Sequence, residues 1–230
     1  MNTENLTLTT LAGVIDHTNL KASATDKELE QLCRESEEYG FASVMVNSVA
    51  VPFCRRLLKT GSVLLGCTVS FPLGQTTLSM KLAETKEAIE NGADEIDYVI
   101  NIGKLKSGDS SFIEQEMAEM SALCHSAGIV VKVILENCYL EKSEIAAVSG
   151  IAAKVRPDFI KTSTGFGSSG ATAEDVRLMK QIVKDTVKVK AAGGIRDLRT
   201  SIAMLDAGAE RLGASSSIAI IEEWTRQNHV

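Results

Sequence analysis

Residues 14–19 read Val14-Ile15-Asp16-His17-Thr18-Asn19. An apolar run that opens an alternating α/β chain has two common fates. In an open sheet that binds dinucleotides it enters a glycine-rich turn, and in a barrel it need not. Here no glycine follows until Gly40, so the doubly wound open sheet lacks its defining turn. Working outward, a short apolar, β-rich run occurs eight times, over 11–16, 41–47, 63–70, 94–101, 129–136, 158–163, 187–192 and 211–215. Longer charged segments with helical period lie between them. The clearest helices are 26–39 with Leu29, Leu32 and Cys33 on one face, 76–91 with Leu82, Ala83 and Ile89, and 173–184 with Val176, Met179 and Val183. Gly40, Gly61, Gly92, Gly128 and Gly208 follow helical stretches closely, where glycine stops a helix. Strict alternation implies parallel strands joined by right-handed crossovers. Eight such units predict an α/β fold, a (β/α)8 TIM barrel, as a single domain over residues 1–230.

Composition narrows the function classes. The chain has 230 residues, 44% hydrophobic and 4% aromatic, which describes an aliphatic globular core large enough to need no disulfide or metal. Its net charge of −6 argues against nucleic acid or an anionic membrane as the main partner. The five cysteines, Cys33, Cys54, Cys67, Cys124 and Cys138, are odd in number and form no C-x-x-C pair. Reduced thiols and a cytoplasmic location follow as expectations. Residues 1–10 lack the basic-then-apolar pattern of a signal peptide, and no apolar run approaches the ~18 residues of a membrane helix.

Barrel active sites sit at the C-terminal ends of the strands, so the polar residues there matter most. The first run ends in Asp16, followed by His17 and Thr18. The fourth carries Asp97, the sixth Lys161 after Phe159-Ile160, and the seventh Lys190 before Ala191-Ala192-Gly193-Gly194. A lysine on a buried strand is desolvated, which lowers its pKa, and a second ammonium nearby lowers it further. A neutral amine attacks a carbonyl and forms a Schiff base. The plainer reading is a lysine paired with a core carboxylate or reaching solvent. Two such lysines with Asp97 between them favour catalysis.

The last two loops add an anion site. Ala192-Gly193-Gly194-Ile195-Arg196 follows the seventh strand, and Gly213-Ala214-Ser215-Ser216-Ser217 follows the eighth. Barrels often bind phosphate there through backbone N–H groups and a helix N-terminus. A tight turn with an N-cap serine is the bland alternative. His17 reads either as a base or as a structural partner, whereas His125 and His229 read as surface residues; three separated histidines give no metal spacing. Strand parity puts Glu95 with Asp97, Lys188 with Lys190 and Lys132 with Glu136. We expect Glu95, Lys132 and Lys188 to form a paired polar layer beneath the site.

These residues resemble the deoxyribose-phosphate aldolase family. The resemblance lies in Phe159-Ile160-Lys161-Thr162-Ser163-Thr164-Gly165-Phe166, in Val189-Lys190-Ala191-Ala192-Gly193-Gly194-Ile195-Arg196, and in Glu95-Ile96-Asp97-Tyr98-Val99-Ile100-Asn101. It continues in Ile15-Asp16-His17-Thr18-Asn19-Leu20-Lys21, Phe71-Pro72-Leu73-Gly74 and Arg211-Leu212-Gly213-Ala214-Ser215-Ser216. It implies a class I aldolase without metal or cofactor, cleaving 2-deoxy-D-ribose 5-phosphate to acetaldehyde and D-glyceraldehyde 3-phosphate. Lys161 would form the imine, Lys190 would depress its pKa, and Asp97 would relay protons. Asp16, Thr18 and Thr164 would line the sugar site, and Gly165, Gly193, Gly194, Gly213, Ser215 and Ser216 the phosphate site. A homodimer is expected. The chain departs from the common pattern at Met45, Ser48, Ser70, Ala22 and its last residues 227–230. Methionine at 45 removes a thiol that aldehydes alkylate, which predicts aldehyde tolerance. Two other readings are an aldolase of the same type acting on a ketose phosphate and a catalytically silent phosphate-binding barrel.

Overall fold

The computed structural model describes residues 6–59 and 61–228. Its strands are β1 (Ile15–Thr18), β2 (Ser43–Asn47), β3 (Leu64–Val69), β4 (Glu95–Val99), β5 (Val130–Ile134), β6 (Phe159–Lys161), β7 (Lys188–Ala192) and β8 (Arg211–Ala214). They close into a barrel in chain order, all parallel, with β8 paired to β1. Around them lie α1 (Leu8–Ala12), α2 (Asp26–Tyr39), α3 (Val51–Leu57), α4 (Leu78–Glu90), α5 (Ile102–Lys106), α6 (Ser110–Ser126), α7 (Lys142–Val155), α8 (Ala173–Val183), α9 (Leu198–Asp206) and α10 (Ser217–Asn228). This is the expected (β/α)8 barrel. No helix among the described residues is long and apolar enough to cross a membrane.

Helix α2 shows how local chemistry sets these boundaries. Thr25 caps its N-terminus and Glu28 reaches back to the Thr25 N–H, a reciprocal capping box. Gly40 ends it at φ 68°, a left-handed conformation that glycine adopts without Cβ strain, and its N–H donates to the Ser36 carbonyl. Between these signals Leu29, Leu32 and Cys33 face the core, as the spacing predicts.

The structure departs from the sequence expectation in two places. The apolar run 11–16 is not a single strand: Leu11 and Ala12 belong to α1, which Thr7 and Thr10 cap reciprocally, and the strand covers Ile15–Thr18. On α4 the fully buried residues are Lys81, Thr85 and Ala88, whereas Leu82 and Ile89 are half-buried and Ala83 is exposed. The cause is Lys81, whose Nζ turns inward to donate to Glu116 Oε1 at 2.7 Å and to the Val99 carbonyl at 2.6 Å.

Each strand alternates faces. Val44, Val46, Leu65, Ile96, Val131, Val133, Ile160, Val189 and Leu212 pack with the helices into one aliphatic core. The other face looks into the barrel and carries Asp16, Glu95, Asp97, Lys132, Lys161 and Lys190, all buried.

Candidate active site

Register brings the inward groups together. Asp97 lies level with Lys132, Lys161 with Lys190, and Lys190 with Arg211. Lys161 Nζ donates to Asp97 Oδ2 at 2.8 Å, and Lys190 Nζ donates to the same oxygen at 2.8 Å. Lys132 Nζ takes Oδ1 at 2.9 Å. Lys190 also donates to Asp16, whose other oxygen accepts Arg211 Nη1 at 2.6 Å. Below them Lys132 and Arg211 both pair with Glu95.

Burial alone would raise the Asp97 carboxyl, but Lys132, Lys161 and Lys190 together outweigh it and hold the group well below its usual range. Asp16 behaves alike: burial opposes its ionisation, and Lys190, Lys132 and Arg211 overcome that and hold it ionised. Lys132 moves the other way, since Asp97, Glu95 and Asp16 more than offset its burial and raise it. Lys161 is lowered from 10.5 to about 8, by burial first, with Asp97 opposing and Lys190 adding to the shift. At pH 7 such an amine is neutral about one time in ten, against about one in three thousand for an ordinary lysine.

Above this floor opens a cleft of about 410 Å³. Lys161, Thr18, Thr164, Gly165, Gly193, Gly194, Gly213 and Ser215 line it. Asp16, Asp97 and Lys190 lie beneath the lining, fully buried or nearly so, so Asp16 does not form the wall that the resemblance implies. Ser216 is also outside the lining; its carbonyl accepts the Ile220 N–H as α10 begins. At the mouth Phe166 meets Phe71 edge to face, with ring centroids 5.4 Å apart, joining the β6 and β3 loops.

The glycines fit the backbone tightly. A Cβ on Gly170 would fall 2.1 Å from the Gly193 carbonyl oxygen, so these two loops pack backbone to backbone. A Cβ on Gly213 would fall 3.2 Å from Lys190 Cε, so that glycine also makes room for the lysine. Two carboxylates, buried Glu136 and half-buried Glu84, steady the rim. Glu136, itself left-handed at φ 44°, accepts the Thr164 N–H at 3.2 Å and the Thr164 hydroxyl. Glu84 accepts the Ser48 hydroxyl at 3.1 Å and the Ser70 N–H at 2.9 Å. Ser70 stands at φ 50°, a conformation that favours glycine, where the common pattern has glycine.

His17 lies at the edge of the cleft, outside the lysine cluster: its ring bridges Ser217 Oγ at 3.0 Å and Glu35 Oε2 at 2.9 Å, which holds it in a structural position. His125 is half-exposed beside Asp158, and His229 lies outside the described residues. In the lower layer Glu95 and Lys132 pair as expected, but Lys188 does not join them. It is exposed at the bottom of the barrel, its ammonium 5.5 Å from the centre of the Phe159 ring. Arg211 takes its place. Parity with Gly213 was the signal that would have found Arg211, two residues earlier on the same face. Glu136 was missed as well.

Fold and site together define a parallel α/β barrel with one activated lysine at the bottom of a cleft suited to a small polar molecule. The chain belongs to the DeoC/LacD aldolase family, whose model matches residues 10–222. It is 53% identical over 216 residues to a deoxyribose-phosphate aldolase from Lactobacillus acidophilus, covering 94% of this chain and 91% of that protein. It is 50% identical to one from Exiguobacterium sibiricum, covering 92% and 95% of the two chains. A tetrameric deoxyribose phosphate aldolase from Aeropyrum pernix superimposes with a TM-score of 0.87 at 31% identity, covering 96% and 92%.

Proposed function

We propose that this chain is a class I deoxyribose-phosphate aldolase that cleaves 2-deoxy-D-ribose 5-phosphate to acetaldehyde and D-glyceraldehyde 3-phosphate. The observation that carries the reading is Lys161, an amine with a pKa of about 8 at the cleft floor, sharing one Asp97 oxygen with Lys190. Neutral Lys161 attacks C1 of the open-chain sugar, and loss of water leaves an iminium. Asp97 and Lys190, through a water, take the proton of the C3 hydroxyl. The C2–C3 bond breaks, C3 becomes the aldehyde of glyceraldehyde 3-phosphate, and the electron pair moves into the enamine. Protonation at C2 and hydrolysis then release acetaldehyde and restore the amine. Thr18 and Thr164 orient the sugar hydroxyls. Gly165, Gly193, Gly194, Gly213 and Ser215 receive the phosphate through backbone N–H groups and the Ser215 hydroxyl, while Ser216, outside the lining, supports the start of α10 behind them. This role assigns Asp16 to holding Lys190 rather than to touching sugar.

The reading includes one domain over residues 1–230, a cytoplasmic location, supported by five unbridged cysteines, and a homodimer, supported by exposed apolar side chains such as Met80 on α4. Sedimentation tests the assembly. The activity is tested by borohydride trapping with acetaldehyde, deoxyribose 5-phosphate and dihydroxyacetone phosphate, followed by peptide mass spectrometry. An ethyl-sized adduct on Lys161 with acetaldehyde is expected. Labelling only by dihydroxyacetone phosphate would move the substrate to a ketose phosphate, and no adduct on Lys161 with any of the three would refute the imine.

A further inference from the structure

The barrel interior holds an unequal number of charges. Three carboxylates face inward, Asp16 from β1 and Glu95 and Asp97 from β4. Four bases face them, Lys132 from β5, Lys161 from β6, Lys190 from β7 and Arg211 from β8. Strands β2 and β3 contribute only the uncharged Ser43, Met45, Asn47, Gly66 and Thr68. Two further charged groups stand outside this count. Lys188 is exposed at the bottom, and Glu136 above β5 is bonded through both oxygens to Thr164.

A buried cluster with one surplus positive charge is unfavourable, and loss of one proton relieves it. Arginine does not supply that proton, because its guanidinium stays charged in proteins. The lysines differ in how many carboxylates they meet. Lys132 has Glu95, Asp97 at 2.9 Å and Asp16 at 3.9 Å. Lys190 has Asp16 and Asp97. Lys161 has Asp97 alone, through an oxygen that it shares. The deficit therefore falls on the one lysine of this cluster that reaches the cleft.

We infer that Arg211 and Glu95, neither of which lines the cleft, are positioning residues that set how readily Lys161 gives up its proton. Arg211 supplies the permanent surplus charge and Glu95 limits it. This rests on the proposed imine at Lys161, and it makes the lower layer part of the chemistry rather than a scaffold under it. The two residues act with opposite sign although both belong to one paired layer, so a purely structural role would not produce the pattern.

The test is the pH dependence of cyanoborohydride trapping of acetaldehyde on Lys161, read by peptide mass spectrometry, with circular dichroism to verify folding. Arg211→Met should move the midpoint up by about one pH unit, which lowers trapping at pH 7 about tenfold. Glu95→Gln should move it down by a similar amount, and Arg211→Lys, which keeps the charge, should restore the wild-type midpoint. If Arg211→Met fails to fold, Glu95→Gln still decides, because a lost structural contact lowers the rate without moving the midpoint downward. Folded variants with unmoved midpoints, or with midpoints moving the same way, overturn the inference alone. Absence of any adduct on wild-type Lys161 overturns the imine reading and this inference with it.

Discussion

Replacing Lys161 by methionine should stabilise the folded protein while abolishing its proposed reaction. Lys161, only 3% exposed, has its pKa lowered from 10.5 to about 8. Because the folded value lies below the unfolded one, the ammonium is disfavoured on folding. That cost is present in full below about pH 8, fades as the pH rises toward 10.5, and is gone above it. The shift corresponds to about 3 kcal/mol at pH 7 and to under about 1 kcal/mol at pH 10. Methionine is close to isosteric and carries no proton, and Asp97 keeps Lys132 and Lys190 as partners. At 2–4 °C per kcal/mol for a chain of this size, the variant should melt roughly 6–12 °C higher at pH 7. Urea unfolding of both proteins at pH 7 and pH 10 measures the effect, and the titrations of groups remote from Lys161 cancel in the difference. A variant less stable than wild type at pH 7, or a difference that does not shrink by pH 10, would refute the argument that Lys161 sits at a cost to folding.

Three further outcomes are expected. Met45 is fully buried inside the barrel, with its sulfur where a Cβ on Gly66 would fall, so the wild type should keep its activity in excess acetaldehyde and Met45→Cys should lose it faster; equal half-lives would remove the thiol argument. Gly170→Ala pushes a Cβ into the Gly193 carbonyl, a backbone contact with no give, and should raise KM for the phosphorylated sugar about tenfold or more while changing the unphosphorylated sugar less, as steady-state kinetics would report. Lys81→Met strands the buried Glu116 carboxylate and should destabilise by about 3–5 kcal/mol in urea, whereas Lys81→Met combined with Glu116→Leu should recover most of that loss.

The strand positions were legible because a parallel strand buried on both faces reads as a continuous apolar run. Asp97, Lys132, Lys161 and Lys190 were legible for the opposite reason: ionisable residues inside such runs stand out, and parity assigns them one face. The β1 boundary was not, because the apolar face of α1 runs almost directly into the strand, and the threonine pair that opens α1 lacks the glutamate of the familiar cap. Lys188 and Arg211 show a deeper limit. Both share the inward parity, yet Lys188 lies level with Phe159 at the exposed end while Arg211 lies level with Lys190. Which residue reaches which depth depends on the stagger of the strands around the barrel, a property of closure that no single strand carries. Glu136 escaped because its left-handed backbone aims the side chain at Thr164, and nothing in its neighbours announces that turn.

Asp16 and Lys190 lie 174 residues apart along the chain, and Asp16 and Arg211 lie 195 apart. Synthesis runs from the N-terminus, so the ribosome releases Asp16 well before Lys190 and Arg211. Until β8 pairs with β1, Arg211 cannot meet Asp16 and the interior that buries Lys161 is not closed. The low pKa of Lys161 is thus a property of the closed ring, and sealing β8 onto β1 completes the surroundings that produce it.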